Sequence, residues 1–596
     1  LLKRVFSISM MVLMAVGAAG LMAFGPRPSG AVASDRLHIQ YWEKWTGLEA
    51  QQCQQIVDAF NNGVGKEKGI YVDYVSISQI DRKTLVAIAA AAPPDVIGLW
   101  GSDVLEFAAK GALEPLDEYT RSAGLTRERY KPVFYDGCEY QGKLYALPST
   151  AWSVALLWNK QVFADKADRL RAAGLDPTRP PRTLEELDRY AAALDTWETR
   201  NGGRHLAVAG CVPLEPGSFT SEYPFWFGAP MSNADGSRVL FDTPEMMACF
   251  DWIRGYSQRI GKNALAEFRS GFNAGSTSIF DTPQNPFLMG WIAMEQQGTW
   301  MAAFIEKLSP ALNRWHVPAE QLEREKNFAR ITPGMSRDDV EHLLGTGNAI
   351  GPDQLQWPAG VKTLTINFAD GKVASMQARL LPARDRQQYC EWGAAAWPSA
   401  VPGLDNVTYA GTDVWVIPST AKHKQAAFEF MKFASRQDQL EKLALLHCNL
   451  SPLARQSEAY LENHPNPYVD VYEALAASPH ARALPPLINW PQLQDELLQA
   501  AEASDMEVGT TRTIVAELQR RSQADLDKTL DAPDPGVAVS SGGAGTALLT
   551  PSPGTLGEDR GKGDLERPTP FDNPNHPHPD PLPDYRKKGP AEARLQ

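Results

Sequence analysis

Beyond Leu37 the chain alternates short apolar runs with stretches of helical periodicity. His38-Ile39-Gln40-Tyr41-Trp42 predicts a strand, Glu43 to Gly47 a loop, and Glu49–Asn61 a helix with Ile56, Val57 and Phe60 on one face. Gly69-Ile70-Tyr71-Val72-Asp73-Tyr74-Val75 alternates and is rich in β-formers, which predicts a second strand. A second helix is expected over Ile80–Ala92, stopped by Pro93-Pro94, and a third strand over Asp95–Trp100. This β-α-β-α-β order with short connections predicts a parallel sheet covered on both faces. In such sheets ligands gather beyond the carboxyl ends of strands, where Trp45 and Trp100 are expected to share one crevice.

The two ends are different material. Leu1-Leu2-Lys3-Arg4 followed by an apolar run to Gly25, with Ala31-Val32-Ala33 before Ser34, reads as a secretory signal over 1–33. The run is also long enough to span a bilayer, so an uncleaved N-terminal anchor is the alternative. Either reading exports the remainder to the periplasm, with an inner-membrane anchor in the second. No Cys follows closely that could carry a lipid. Residues 531–596 are dense in Pro, Gly and Ser, include His576-Pro577-His578-Pro579-Asp580-Pro581, and are expected to form a disordered tail.

Composition narrows the function. With 596 residues, 43% apolar and 22% charged, the chain is ordinary globular material of several domains. A net charge of −13 argues against nucleic-acid binding. Six dispersed Cys show no zinc spacing and no disulfide framework, though one or two bridges remain open. Nucleophile elbows, HExxH, Walker A and dinucleotide fingerprints are absent, so no catalytic residue, metal site or cofactor is expected. Sixteen Trp supply the flat rings that carbohydrate recognition uses.

Several phrases carry a family resemblance. Pro94-Asp95-Val96, Gly111-Ala112-Leu113-Glu114-Pro115-Leu116, Gly142-Lys143-Leu144-Tyr145-Ala146-Leu147-Pro148 and Leu157-Trp158-Asn159-Lys160 come first. Pro181-Arg182-Thr183-Leu184-Glu185-Glu186-Leu187 follows as a helix opening, with Thr183 as N-cap and Glu186 closing a capping box. Gly290-Trp291-Ile292-Ala293-Met294 with Gly298-Thr299-Trp300, and Ile417-Pro418-Ser419 with Lys424 to Met431, complete the series. In this order they resemble the extracellular solute-binding proteins, family 1, of carbohydrate ABC importers.

The resemblance implies an α/β, two-lobed periplasmic-binding-protein fold with a hinge and an interlobe ligand cleft. One lobe would take 34–148 and 289–315, the other 149–288, with 389–530 returning to the lobes. Residues 316–388 interrupt the family pattern. There Gly334-Met335-Ser336 to Leu343-Leu344-Gly345 predicts a helix capped by Ser336 with Asp339, and Leu364 to Val373 a hairpin turning at Asp370-Gly371. This stretch resembles the BamE-like fold of small outer-membrane assembly factors and lipoproteins, and is expected to be a small α+β insert on the surface.

The implied function is a monomeric periplasmic subunit that captures a sugar or oligosaccharide and delivers it to the membrane permease of an ABC importer, without chemistry. Expected ligand contacts are Trp45, Trp100, Trp152 and Trp300, then Trp226 and Trp415, with Glu43, Thr46, Ser102, Asp103, Thr412 and Asp413 for hydroxyls. Trp158, Trp291 and Trp397 read as core. Two alternatives stay open: an exported carbohydrate-active enzyme using paired carboxylates from Glu43, Glu295 and Asp413, and a membrane-anchored sugar-sensing ectodomain.

Overall fold

A computed structural model of the protein describes residues 35–214, 220–273, 282 and 284–531. The proposed signal at 1–33, and the tail beyond Asp531, lie outside the described residues.

The first strands follow the expected alternation. β1 (Leu37–Glu43) is followed by α1 (Gly47–Asn62), β2 (Ile70–Ser76), α2 (Ile80–Ala89) and β3 (Val96–Trp100). β1 pairs in parallel with β2 and with β3. Helix α1 buries Cys53, Ile56, Val57 and Phe60 along one face. Its last turn is tied to the sheet by Asn61, whose Oδ1 accepts from Val72 N and whose Nδ2 donates to Val72 O. α2 ends a turn earlier than the prolines alone require, because Ala91 adopts φ +53 after it.

Two long strands carry the chain between lobes. β4 (Ala146–Asn159) spans fourteen residues, all but Trp152 buried. A helix, α3 (Leu184–Leu194), follows with Thr183 capping the Glu186 amide as expected. The Glu186 carboxylate does not close a capping box. It accepts from Arg182 N and pairs with the Arg179 guanidinium instead, since a charged fork outcompetes a lone amide.

Then β5 (Met294–Gly298) adds antiparallel to β4 at Val154–Trp158. Next come the insert, β10 (Trp392–Ala395), β11 (Thr408–Val416) and the short β12 (Ala481–Arg482). The order across the eight-stranded sheet is β10-β4-β11-β3-β1-β2, with β5 beside β4 and β12 beside β11. The second lobe is closed by α4 (Trp490–Asp505) and α5 (Thr511–Leu530).

Three separate cores show where the lobes divide. One gathers Ile39, Phe60, Val96, Leu99, Leu147, Val414, Val416 and Phe430. A second gathers Val154, Leu156, Tyr190, Trp226, Phe250, Met294, Tyr409, Trp490 and Leu518. A third, under the other face of β4, joins Ala155, Leu157, Met301, Ile305, Trp392 and Tyr472. Both β4 and β11 pass from the first core to the others, near Pro148–Ser153 and Ala410–Asp413.

This corrects one boundary. Residues 289–315, expected to return to the first lobe, pack with the second and third cores, because β5 hydrogen-bonds to the far half of β4. Residues 414–453 instead supply much of the first core.

The insert is self-contained. Helices over Ala319–Asn327 and Arg337–Leu344 cover an antiparallel sheet of β6 (Asn348–Gly351), β7 (Gln354–Ala359), β8 (Lys362–Ala369) and β9 (Lys372–Leu380), in sequence order. Ser336 and Asp339 form the expected capping box. Asp370 (φ +51) and Gly371 (φ +72) make the β8–β9 turn, both in the left-handed region that a two-residue hairpin requires. Its own core joins Val340, Leu344, Trp357, Leu364, Ile366 and Phe368. All six cysteines are free and buried.

Candidate functional site

The site is built where the two long strands cross from lobe to lobe. In β11, Asp413 lies opposite Trp100 of β3, while Gly411 lies opposite Trp152 of β4. Between Thr412 and Val414 the register against β4 slips, so Ser149 and Thr150 together face Asp413. Such a bulge re-aims side chains locally. Here it lets Thr150 Oγ1 donate to Asp413 Oδ2 at 2.6 Å, while Thr412 Oγ1 donates to Thr150 O at 2.8 Å.

On the first lobe, Trp45 and Trp100 meet at the strand ends as expected, ring centroids 5.0 Å apart and edge to face. Lys44 Nζ lies 4.8 Å and 4.7 Å from those two rings, a cation between two negative π-faces. Behind them Lys44 is buried against two carboxylates, 3.4 Å from Glu43 Oε1 and 3.3 Å from Asp413 Oδ1. The Tyr41 hydroxyl donates to the Glu43 carboxylate, and Lys44 N donates to Glu43 Oε1 at 2.8 Å. Position 98 has to be Gly, because a Cβ there would stand 2.0 Å from Glu43 Oε2.

Burial works against the Lys44 ammonium, yet Asp413 and then Glu43 more than offset it and its pKa is raised. Burial raises the Asp413 carboxyl, and Lys44 and Thr150 only partly counter it. Asp103, buried beside Ser102, is pushed up to about 7 by burial first and by Asp81 and Glu106 next. His447 packs edge-on against Trp45, its centroid 5.4 Å away, and burial lowers it to about 4, so it is neutral at pH 7.

A cavity with about 140 Å³ of water-accessible space opens between these groups and the second lobe. Trp100, Gly101, Ser102 and Leu105 wall one side, and Trp152, Tyr409, Leu484 and Trp490 the other; Phe134, Thr412 and Asp413 form the base. Trp152 meets Tyr409 edge-on at 4.7 Å and Trp300 at 5.9 Å. Gly411 is needed there too, since a Cβ would come within 2.5 Å of the Trp152 ring. Among the described residues no Lys, Arg or His lines this cavity.

Of the residues expected from sequence, Trp100, Ser102, Trp152, Thr412 and Asp413 therefore line one cavity. Trp45, Glu43 and Asp103 form the layer behind Trp100 and Ser102, and Trp300 backs Trp152. Thr46 is exposed as the N-cap of α1.

Two expectations are corrected. Trp226 is 1% exposed in the second core, its Nε1 donating to Val407 O, and Trp415 is 2% exposed in the first, its Nε1 donating to the Tyr41 hydroxyl. Both sit on faces turned into the packing, so neither reaches the cavity. Trp158 and Trp397 are core as expected, while Trp291 is half-buried.

Glu295 lies buried on β5 opposite Leu157, on the third core's side, and Glu43 and Asp413 are both engaged by Lys44. The three acids named for glycosidic chemistry are thus not a pair across the cavity. Sequence reasoning missed Phe134, Tyr409, Leu484 and Trp490. Tyr409 was within reach, since it lies two residues before Gly411 on the same strand.

Residues 55–332 match the family model described as bacterial extracellular solute-binding protein. Among curated proteins it is 35% identical over 144 residues to the maltotriose-binding protein of Pyrococcus abyssi, covering 24% of this chain and 28% of that one. It is 25% identical over 235 residues to the sn-glycerol-3-phosphate-binding periplasmic protein UgpB of Pectobacterium atrosepticum, covering 38% and 48%. The chain thus spans less than half the length of either relative. Among solved structures it is similar in fold to CpMnBP1 with mannobiose bound, with a TM-score of 0.56 at 19% identity over 81% of this chain and 99% of that one. Among the described residues no helix is long and apolar enough to cross a membrane.

Proposed function

We propose that this protein is the periplasmic solute-binding subunit of an ABC importer, holding a sugar or short oligosaccharide between its lobes and presenting it to the membrane permease. The observation that carries this reading is the cavity at the strand crossovers, walled by Trp100 and Ser102 from one lobe and by Trp152, Tyr409 and Trp490 from the other. Aromatic faces stack on the apolar faces of pyranose rings, and Ser102, Thr412 and Asp413 offer partners to hydroxyls. A solute touching both walls favours the closed state by its differential affinity, and closure is what a permease can read. The space is smaller than the roughly 300–1,000 Å³ of typical ligand sites, so admitting an oligosaccharide requires the lobes to part.

The relatives bind two chemically distinct solutes, a neutral oligosaccharide and a phosphate ester. The cavity's charge favours the first. Among the described residues its only lining side chain from an acid or a base is Asp413, and Lys44 behind it is already held by two carboxylates. A phosphate would meet no cation there and would face an acidic base.

The protein does no chemistry on its solute in this reading, and the insert, resembling a BamE-like fold, is a separate surface module. Tryptophan fluorescence titrated with maltotriose, mannobiose and sn-glycerol 3-phosphate tests the proposal, with the solute recovered and weighed by mass spectrometry. A saturable shift with either saccharide, recovered intact, supports it. Cleaved saccharide makes the protein an enzyme, and a response to the phosphate ester alone overturns the sugar assignment.

A further inference from the structure

On the first lobe, Glu43 is engaged by Tyr41 and Lys44, and Asp413 by a hydrogen bond from Thr150 and an ion pair with Lys44, while Asp103 Oδ2 has no hydrogen-bond partner among the described residues. On the second lobe, more buried hydrogen-bonding atoms are left over, and these include donors. Trp490 lines the cavity, is 1% exposed, and its Nε1 has no hydrogen-bond partner among the described residues. Neither side-chain atom of the neighbouring Asn489 has one, nor has either of Gln296, which shares a strand face with Leu156 and Trp152.

An orphaned buried donor costs about 1–3 kcal/mol, so such groups call for a partner that arrives later. Four other buried indoles are satisfied: Trp226, Trp357, Trp392 and Trp415 each donate to an oxygen. The backbone amides around Trp490 are also satisfied, Trp490 N donating to Leu487 O and Gln492 N to Asn489 O. What the helix start offers the cavity is therefore the indole N–H, not an anion-binding nest.

From this we infer that Trp490 is a specificity-determining residue of the second lobe, donating through Nε1 to an oxygen of the bound solute. An indole N–H can only donate, so the group it reads is an acceptor: a hydroxyl, ring or glycosidic oxygen, never an ammonium. The first lobe would then supply chiefly stacking and the second this directed bond, so that full affinity needs both walls in contact. The inference rests on the cavity being the solute site.

The test compares wild type with Trp490→Phe, which keeps an aromatic face and removes the donor, and with Trp226→Phe as a control in the same core. Affinity for maltotriose and mannobiose is measured by calorimetry, and melting is followed without ligand. Trp490→Phe is expected to bind the saccharide that wild type binds about 3–15-fold more weakly, the worth of one such bond, while its ligand-free melting temperature falls less than that of Trp226→Phe, since both variants leave the same space in the core but only the second gives up a hydrogen bond. Trp226→Phe loses the bond to Val407 O, so it is expected to melt earlier.

Wild-type affinity retained in Trp490→Phe overturns the inference alone. So does a melting temperature lowered as in Trp226→Phe, which makes Trp490 structural. If wild type binds neither saccharide, the reading of the cavity falls, and this inference falls with it.

Discussion

Replacing Lys44 with Met would strand two carboxylates in the interior. Lys44 stands 3.4 Å from Glu43 Oε1 and 3.3 Å from Asp413 Oδ1, with all three side chains buried. Removing one partner of a buried ion pair costs about 3–5 kcal/mol, because the remaining charge is left without compensation. The first lobe is of a size where 1 kcal/mol moves the midpoint by about 2–4 °C. Lys44→Met is therefore expected to lower the first-lobe transition by about 10 °C at pH 8, read by calorimetry. The loss should shrink as pH falls. Burial already holds the Asp413 carboxyl above its ordinary value, and losing the ammonium raises it further. The native state then binds a proton that the unfolded chain has released, so acid restores stability to the variant. Adding Asp413→Asn to Lys44→Met should recover much of the loss at pH 8. A single variant within about 1 kcal/mol of wild type at pH 8, or a double variant no better than the single, would refute the assignment of this cluster as a mutually dependent buried network.

Other perturbations reach different parts of the molecule. Burial pushes Glu222 up to about 7, so its ionisation destabilises the fold as pH rises through that value; Glu222→Gln should outlast wild type in thermal melts at pH 9 by up to about 3 kcal/mol and match it at pH 5. Gly411→Ala places a methyl 2.5 Å from the Trp152 ring, and saccharide affinity should fall at least tenfold as the ring tilts from the wall. Near-UV circular dichroism would report the displaced indole. Exchanging residues 319–381 for a short Gly-Ser linker should leave the body's melting temperature within about 3 °C, because the insert has its own core and Trp315 N already joins Tyr389 O at 2.7 Å across its base. Loss of saccharide binding in that deletion would contradict the separateness of the insert.

The legible parts of the sequence are those where one period rules. β1, β2 and β3 alternate or run apolar between turn residues, so the parallel sheet and the meeting of Trp45 with Trp100 could be read from strand ends alone. The insert hairpin was equally plain, since Asp370-Gly371 supplies the two left-handed residues the turn demands. β4 behaves differently. It is buried on both faces along nearly its whole length, and a strand with no solvent face has no alternation to say which core each residue enters. The assignment of 289–315 went astray for that reason, since only the pairing of β5 with the far half of β4 shows its lobe.

The far wall of the site was hidden by a second effect. Trp490 begins a helix 338 positions after Trp152, and the two share a cavity only because β4, β11 and α4 meet at the lobe crossing. Trp226, by contrast, carried the same composition signal as Trp100, yet its indole N–H is spent on Val407 O inside the core. In the proposed reading, what separates Trp490 from Trp226 is whether the buried N–H is already bonded. That property belongs to the assembled lobes, and a solute in the cavity would complete hydrogen bonding that the chain leaves unfinished there.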